Sequence, residues 1–553
     1  MGCLNNLLFL SLISCFVVVQ SGDPYLFYTW NVNYATLSPL GVPQKVIVIN
    51  NQFPGPKINS TTNNNIVINV FNNLDEPLLF TWNGVQQRRN SWQEGTLGTN
   101  CPIPPGANFT YQFQVKDQIG TYYYYPTTSL HRAAGGYGLL AVNSRALIPV
   151  PFDHPEDDYT VLVGDWYTKS HVTLKKLLDT GRSLGRPNGV IINGKRGKMD
   201  GTDEPMFSMI PGKTYRYRIC NVGVKNSLNV RIQGHTMKLV ELEGSHTVQN
   251  VYDSLDVHLG QCYSVLVTAD QTPKDYYFVA STRFTKSDLV STATIRYVGG
   301  AGPAEATLPP APVGWVWSFS QFRSLRWNLT ASAARPNPQG SYHYGKINIT
   351  RTIKLVSSKG KVGGKLRYAV NGVSHIDPET PLKLAEYYGV PEKAFKYGIM
   401  KDEPEGGDVK SNINIAPNVI NGTFRDFVEI IFENHDKSME TWHLSGYAFF
   451  AVAVEPGRWT PEKRKNYNLV DAVSRNTIQV YPNSWAAIMT TIDNAGMWNL
   501  RTMQLERQYL GQQLYISTRP PGRTSLRDEY DLPLNAPLCG VVKDLPKPPP
   551  YTL

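Results

Sequence analysis

Apolar and polar residues alternate along short segments of the chain, which is the pattern of half-buried β-strands. The first clear segment, residues 66–73, ends in two asparagines that indicate a turn. The pattern recurs at residues 216–222 and 428–434, and a second predicted strand follows each copy. Short strands separated by many Gly and Pro residues predict antiparallel sandwiches. Three copies at this spacing therefore predict three sandwiches rather than a solenoid of short repeats.

A strand rich in aromatic residues is predicted towards the end of each sandwich. Residues 117–122 and 493–498 share an Asp-x-x-Gly-x-aromatic frame, and residues 274–278 are a looser copy. Alternation predicts that about half of the tyrosine run at 122–125 is buried in a core, with stacking on sugars as the alternative. Helices are expected to be few and short, at residues 172–179, 381–388 and 391–397.

The first twenty residues contain an apolar run from Leu7 to Val19, followed by small residues. This run is typical of a secretory signal peptide cleaved near Ser21 or Gly22. The alternative is a membrane anchor, but the run is shorter than the roughly 20 residues that a span needs. No other long apolar stretch occurs, and the polar, proline-rich C-terminus carries no GPI-anchor signal. We therefore expect a secreted protein without a transmembrane segment.

Length and composition set the expected domain organisation. A chain of 553 residues with 41% hydrophobic and 18% charged residues is globular and long enough for roughly two to four domains. A proline-rich stretch that also holds Trp315, Trp317 and Trp327 is expected to be an ordered connector. The expected order is a signal peptide at 1–22, domains at 23–150 and 151–300, a connector at 301–340, and a third domain with a C-terminal tail at 341–553.

Sequons and cysteines agree with export. N-glycosylation sequons begin at Asn59, Asn108, Asn328, Asn348 and Asn421. Two of the six cysteines lie in the predicted signal peptide. An even number in an oxidising compartment suggests two disulfides, and the sequence leaves their three connectivities open. The four remaining cysteines are Cys101, Cys220, Cys262 and Cys539.

The formal net charge of +10 is a modest excess of basic residues. No basic run with interleaved aromatic residues occurs, so nucleic acid is not an expected partner. An exported cationic protein is attracted to anionic surfaces such as acidic polysaccharide, although the charge could also serve solubility alone. The sequence contains no Gly-x-Ser-x-Gly elbow, P-loop, His-Glu-x-x-His or Cys-x-x-Cys motif. We therefore expect no catalytic residues of these classes.

Four segments carry a resemblance to the multicopper oxidases, the family of plant ascorbate oxidases and laccases. Residues 79–87 and 120–138 resemble the first two copper-binding motifs of that family, and residues 440–447 and 496–503 resemble the third and fourth. The resemblance implies an all-β fold of three cupredoxin-like Greek-key β-sandwich domains. Segments similar to the plant clade of skewed-growth proteins and pollen-specific ascorbate-oxidase homologues lie at 51–56, 72–77, 163–167, 314–318 and 335–345.

Copper is the family's cofactor, held by imidazole nitrogens and a cysteine thiolate, which are the ligands that suit it. At the matching positions only His443 is an imidazole, while Thr502 stands for the cysteine and Gln512 for the axial ligand. The ten histidines of the chain are also dispersed in the sequence, so we expect no metal site and no cofactor. The matching positions are Thr81, Asn83, Tyr125, Thr127, Glu440, His443, Ser445, Tyr447, Arg501, Thr502, Met503, Arg507 and Gln512.

The resemblance has three further implications for side chains. Glu440 and Arg507 match positions that face one metal in the family, so we expect them to form an ion pair. We interpret His443 as a packed strand histidine, with a lone copper ligand as the alternative. The resemblance also implies a bridge from Cys101 to the tail at Cys539. With that bridge in place, Cys220–Cys262 is the other expected pair, and two buried free thiols are the alternative.

The favoured hypothesis is a secreted plant glycoprotein of the apoplast or cell wall that lacks copper chemistry. The clade implies a non-enzymatic binding or structural role in cell-wall expansion or pollen-tube growth. Acidic cell-wall polysaccharide and plasma-membrane proteins are the expected partners, and pectin binding by electrostatics would weaken as salt rises. The alternative is a copper-dependent, ascorbate-oxidase-like oxidoreductase with a residual or rebuilt metal site.

Overall fold

The computed structural model describes residues 22–88, 90–200, 202–331, 343–404, 413–520 and 530–549. Residues 1–21 of the expected signal peptide lie outside these ranges. None of the helices in the described ranges has the length and hydropathy that a membrane span requires.

Six sheets in the described part of the chain form three cupredoxin-like domains, each with its own apolar core between two sheets. The sheets of the first domain have the orders β2-β1-β4-β6 and β3-β8-β7-β5. Its strands are β1 (Tyr25–Leu37), β2 (Gln44–Ile49), β3 (Ile58–Thr61), β4 (Asn65–Asn72), β5 (Phe80–Asn83), β6 (Asn108–Gln114), β7 (Gly120–Pro126) and β8 (Gly138–Asn143).

The second domain follows the same plan with more strands. Its strands are β9 (Asp158–Trp166), β10 (Gly189–Ile192), β11 (Phe207–Met209), β12 (Thr214–Asn221), β13 (Leu228–Ile232), β14 (Met237–Leu242), β15 (Ser245–His246), β16 (Val251–Tyr252), β17 (Ser254–Val257), β18 (Cys262–Thr268), β19 (Asp275–Thr282) and β20 (Val290–Tyr297). One sheet has the order β10-β9-β12-β18-β14-β15, with β16 paired to β14, and the other has the order β11-β20-β19-β13-β17.

The third domain has the sheet orders β24-β23-β22-β21-β26-β31-β28-β29 and β25-β33-β32-β27-β30. Its strands are β21 (Arg351–Val362), β22 (Lys365–Val370), β23 (Val373–Ser374), β24 (Asn414–Ile415), β25 (Val419–Gly422), β26 (Phe427–Asn434), β27 (Glu440–Leu444), β28 (Phe449–Pro456), β29 (Ser474–Arg475), β30 (Thr477–Val480), β31 (Ser484–Thr491), β32 (Gly496–Thr502) and β33 (Gln513–Thr518).

Helices are short and connect the strands. The α-helices are α1 (His171–Asp179), α2 (Trp315–Ser324), α3 (Leu382–Tyr387) and α4 (Leu505–Tyr509). The predictions for α1 and α3 are confirmed, and the Ser170 side chain caps α1 by accepting the Thr173 N–H. The prediction of a third helix at residues 391–397 is wrong, because only the 3-10 turn Pro391–Lys393 forms there. The 3-10 turns are Ser91–Gln93, His131–Ala134, Tyr344–Lys346, Pro391–Lys393, Pro461–Asn466 and Gly540–Val542.

Each sheet contains a parallel strand pair, so the prediction of purely antiparallel sandwiches is wrong. The parallel pairs are β1 with β4, β3 with β8, β9 with β12, β11 with β20, β21 with β26, β23 with β24, and β25 with β33. Alternation in sequence shows which face of a strand is buried but not the direction of its neighbour. Connections that cross between the two sheets return a strand in the same direction as its neighbour, and no hairpin signal marks them.

The tyrosine run in β7 is buried on both sides, which corrects the expectation that half of it is exposed. All four tyrosines from Tyr122 to Tyr125 are at most 3% exposed. Tyr122 and Tyr124 lie in the core of the first domain. Tyr123 and Tyr125 pack with residues of the second domain such as Leu162. The second domain covers the face that a lone sandwich would leave in water.

Both disulfide pairs implied by the resemblance are present. Cys101 and Cys539 join the first domain to the tail across a sequence separation of 438 residues. Cys220 and Cys262 lie opposite one another on the neighbouring strands β12 and β18. The first bridge holds the tail against the first and third domains, because it lies in an apolar cluster with Trp92 and other buried residues of the tail and α3.

Candidate functional site

Seven of the thirteen positions that the resemblance matches to copper ligands lie on strands β5 and β7 of the first domain and β27 and β32 of the third. The others lie in the segments that follow these strands, with Arg507 on α4. In the first domain, Thr81 on β5 lies opposite Tyr125 on β7. In the third domain, His443 on β27 lies opposite Arg501 on β32. The paired strands therefore bring these side chains close together within each domain, as the resemblance implies. The contacts of each side chain then show which chemistry is possible at these positions.

The Glu440 carboxylate accepts hydrogen bonds from four side chains. Arg507 Nη1 donates to Oε1 at 2.6 Å and forms a buried ion pair with it. Gln512 Nε2 donates to the same oxygen at 2.9 Å. The other oxygen accepts from Ser357 Oγ at 2.7 Å and from Trp442 Nε1 at 3.0 Å. These five residues are the Glu440 cluster, and the expected ion pair is present in it.

A second acidic residue completes the contacts of the Arg507 guanidinium. Its Nη2 lies 3.0 Å from Asp436 Oδ2 and also donates to Ser438. Lys359 Nζ pairs with the same Asp436 carboxylate at 2.9 Å. This side of the Glu440 cluster borders a cavity of about 320 Å³, which Tyr368 also lines. Both charges of the buried pair are therefore compensated by further polar groups, as a buried ion pair requires.

Arg501 occupies the centre of the second group of positions, and its side chain is fully buried. Its Nη2 and Nε donate to the Tyr125 hydroxyl at 2.8 and 3.2 Å. Its Nη1 donates to Ser445 Oγ at 3.1 Å and to Asn499 Oδ1 at 3.0 Å. The Glu94 carboxyl is buried close enough for the guanidinium charge to act on it. These five residues are the Arg501 cluster, which joins the first domain to the third.

Glu94 is the titratable group of the Arg501 cluster. Burial raises the pKa of its carboxyl to about 7, although the Arg501 guanidinium and the hydroxyls of Ser445 and Thr81 favour the charged form. The Thr81 hydroxyl donates to this carboxyl at 3.4 Å. The cluster therefore changes its charge near neutral pH.

Four more of the matching positions donate hydrogen bonds to other groups of the protein. Asn83, Thr127 and Tyr447 each donate to a main-chain carbonyl oxygen, at 3.1, 2.6 and 2.7 Å respectively. The Thr502 hydroxyl, which stands for the family's thiolate, donates to the side chain of Gln504. The structure does not bring these four side chains together around a common point.

The last two positions are His443 and Met503. His443 Nδ1 lies 3.0 Å from the carbonyl oxygen of Asn476. Burial, with the nearby Arg501 charge, lowers the pKa of His443 well below its ordinary value, so the ring is neutral. The Met503 side chain is fully buried and packs against Gly260 of the second domain. Both contacts are those of packed interior residues.

One cluster of ligand-type side chains was not anticipated from the sequence. Glu76, His131 and His171 lie together where the first and second domains meet. His131 and His171 are far apart in the sequence but close in the folded protein. The dispersion of the histidines along the chain therefore did not exclude a pair of neighbouring imidazoles. The predicted helix at 172–179 begins just after His171, and no pattern in the sequence connects this residue with His131.

We expect the Glu440–Arg507 pair to show strong energetic coupling. Each single change, Glu440→Gln or Arg507→Met, should lower the free energy of unfolding by about 3 kcal/mol, because it leaves a buried charge uncompensated. The double variant should lose clearly less than the sum of the two. Urea unfolding of the four proteins measures the coupling free energy.

The exposed pair Lys213–Glu156, at 3.2 Å, is the matched control. The corresponding cycle of Lys213→Met and Glu156→Gln should give a coupling of about 0–1 kcal/mol. A coupling between Glu440 and Arg507 as small as that of the control would contradict the assignment of a buried, mutually dependent pair.

Stability should fall as Glu94 ionises. Between its ordinary pKa of 4.5 and its folded pKa of about 7, the folded state binds more protons than the unfolded state. The free energy of unfolding therefore decreases as pH rises through this window, by up to about 3 kcal/mol. In Glu94→Gln this contribution should disappear.

Urea unfolding of the wild type and of Glu94→Gln across this pH window tests the prediction. Glu392→Gln, a change at an exposed side chain, is the control and should follow the wild type. A constant difference in unfolding free energy between Glu94→Gln and the wild type at every pH would show that Glu94 does not titrate in this range.

Comparison with known proteins agrees with the fold and the motif positions. Three family models described as multicopper oxidase match residues 31–147, 157–300 and 379–521. The L-ascorbate oxidase homolog of Brassica napus is 68% identical over 96% of this chain and 96% of its own length. The monocopper oxidase-like protein SKU5 of Arabidopsis thaliana is 48% identical over 98% of this chain and 93% of its own length.

More distant relatives share the same architecture. The L-ascorbate oxidase of Cucurbita maxima is 29% identical over 89% of this chain and 90% of its own length. The crystal structure of Fet3p, a multicopper oxidase that functions in iron import, has a TM-score of 0.75 at 20% identity and covers 89% of this chain and 90% of that one. The chain belongs to the multicopper oxidase family.

Proposed function

We propose that this protein is a secreted, glycosylated component of the plant cell wall that acts by binding and not by copper-dependent oxidation. The observation that supports the proposal is the hydrogen bonding of the Glu440 and Arg501 clusters. Each cluster includes a guanidinium at a position that the resemblance assigns to a metal ligand. A guanidinium is a permanent cation with five N–H donors and no lone pair to offer a metal.

The donor set at these positions does not fit copper. Copper in this family needs several imidazoles and one thiolate, and the thirteen positions provide a single imidazole at His443. A cation placed within a few ångströms of Arg501 or Arg507 would be repelled in a buried, poorly screened setting. The hydroxyl and amide groups at the other positions already donate to protein oxygens. No step of copper chemistry is therefore assigned to them.

Exposed sequons support export and glycosylation. Asn59, Asn108, Asn348 and Asn421 are exposed, and Asn328 is half-buried. An oligosaccharide on an exposed asparagine does not disturb the packing of the sandwiches. The two disulfides agree with an oxidising compartment. We infer a location in the apoplast or cell wall and a role in wall expansion or pollen-tube growth.

The partner that the charge favours is acidic polysaccharide. The formal net charge is +10, so a de-esterified pectin surface attracts the protein by long-range electrostatics. Such an interaction is screened over about 8–10 Å at physiological salt. Binding through the surface requires no open metal site, which agrees with the ion pair and hydrogen bonds of the Glu440 and Arg501 clusters.

Two measurements on the purified glycoprotein, dialysed against EDTA, test the proposal together. Addition of ascorbate or a phenol should cause no oxygen uptake, and the visible spectrum should show no blue thiolate–copper band. Sedimentation with de-esterified pectin should retain the protein at low salt and release it as salt rises. The matched control is fully methyl-esterified pectin, which lacks the carboxylates and should not retain it.

The outcomes separate the two functions. A blue band, or oxygen uptake that persists after EDTA dialysis, would support the alternative of an ascorbate-oxidase-like enzyme with a rebuilt metal site. Equal retention by esterified and de-esterified pectin, or retention that salt does not weaken, would overturn the electrostatic binding role while leaving the absence of copper chemistry intact.

A further inference from the structure

Three side chains with metal-ligating atoms meet between the first and second domains. His171 Nε2 lies 2.7 Å from Glu76 Oε1, and His131 Nε2 lies 3.2 Å from Glu76 Oε2. One ligand atom from each residue lies within 4.8 Å of the other two. The Tyr34 hydroxyl approaches the same point, 3.1 Å from Glu76 Oε1 and 3.4 Å from His171 Nε2. None of these residues belongs to the positions that match copper ligands.

Different elements of the fold hold each of the three residues. Glu76 lies in the loop between β4 and β5, and His131 begins a 3-10 turn of the first domain. His171 is the first residue of α1 in the second domain. The His131 and His171 side chains are 0% and 1% exposed, whereas that of Glu76 is 29% exposed. The cluster is therefore enclosed by protein on the histidine side and reachable from solvent on the carboxylate side.

The chemistry of the three side chains suits a cation. A carboxylate beside two imidazoles brings negative charge and nitrogen lone pairs to one point.

Contacts around the cluster hold its rings in place. The Thr128 hydroxyl lies 3.2 Å from His131 Nδ1, which leaves His131 Nε2 directed at Glu76. The Tyr34 ring stacks on the His171 ring with an interplanar angle of 17°. The Lys45 ammonium lies 3.6 Å from the Tyr34 ring centroid and pairs with Asp75 at 3.4 Å.

We propose that Glu76, His131 and His171 form a Zn²⁺ site that connects the first and second domains. Two imidazole nitrogens and one carboxylate oxygen are a usual ligand set for zinc, with water or the Tyr34 hydroxyl as the fourth ligand. Ligands about 2.0–2.2 Å from a tetrahedral zinc ion lie about 3.3 Å from one another. The two histidine nitrogens lie 2.7 and 3.2 Å from different oxygens of Glu76, and the three ligand atoms lie within 4.8 Å of one another, so binding requires side-chain movements that bring all three onto one ion.

The position of the three ligands also indicates the effect of a bound zinc ion. Two ligands come from the first domain and one from the second, so a bound ion cross-links the two domains. A zinc ion that binds only the folded state raises stability by mass action. Because the ligands come from two domains, both domains must be folded for the ion to bind. Zinc therefore stabilises the junction, and no catalytic step is assigned to it.

Calorimetric titration of the EDTA-treated protein with ZnCl₂ tests the proposal. One Zn²⁺ should bind per chain, and the thermal midpoint should rise when zinc is added. His131→Asn and His171→Asn should each weaken binding by about 100-fold or more and remove the zinc-dependent rise. His154→Asn changes an exposed histidine remote from the cluster in the fold and should bind zinc like the wild type.

Glu76→Gln is the second variant, because it keeps the side-chain volume and the hydrogen bonds that fold the loop. It should fold, as judged by circular dichroism, and still lose most of the zinc affinity. Absence of saturable zinc binding by the wild type would overturn the proposal. Wild-type affinity in folded Glu76→Gln, or in the folded histidine variants, would overturn it too, because the ion would then bind elsewhere.

Discussion

The hydrogen bonds of the buried Arg501 guanidinium are the interaction on which the junction of the first and third domains depends. A cation out of reach of water must be surrounded by oxygen atoms, and here they come from two domains at once. Tyr125 supplies an oxygen from the first domain, and Ser445 and Asn499 supply oxygens from the third. Separation of the two domains would remove the Tyr125 hydroxyl and the Glu94 carboxyl and leave this charge only the oxygens of Ser445 and Asn499. Full satisfaction of this side chain therefore requires both domains.

The Glu440 cluster obeys the same rule within a single domain. Its carboxylate accepts four hydrogen bonds, and its Arg507 partner contacts a second acid at Asp436. Replacement of metal ligands by polar groups is compatible with the fold only when each new group finds such a partner. The charged groups of both clusters meet that condition, which is compatible with a stable three-domain scaffold that carries these residues.

Sequence patterns predicted the parts of this structure that depend on neighbours along one strand. The strand frames and the helix α1 belong to this class, whereas the Glu440–Arg507 pair was expected from the family resemblance. Features created by contact between domains were missed, since no strand pattern records what covers its outer face: the burial of Tyr123 and the meeting of His131 with His171 are examples. Helix α2 was not predicted from the sequence for another reason. It buries the polar side chains Ser318 and Gln321 and exposes Val316, so hydrophobic periodicity gives no signal.

The most direct test of the central claim is an X-ray crystal structure of the protein soaked in Cu²⁺, with anomalous scattering measured at the copper absorption edge. The account predicts no anomalous peak within the Glu440 cluster or the Arg501 cluster, and hydrogen bonds of Arg501 and Arg507 to protein oxygens in the same density. An anomalous peak in either cluster, with the guanidinium displaced from its partners, would contradict the account.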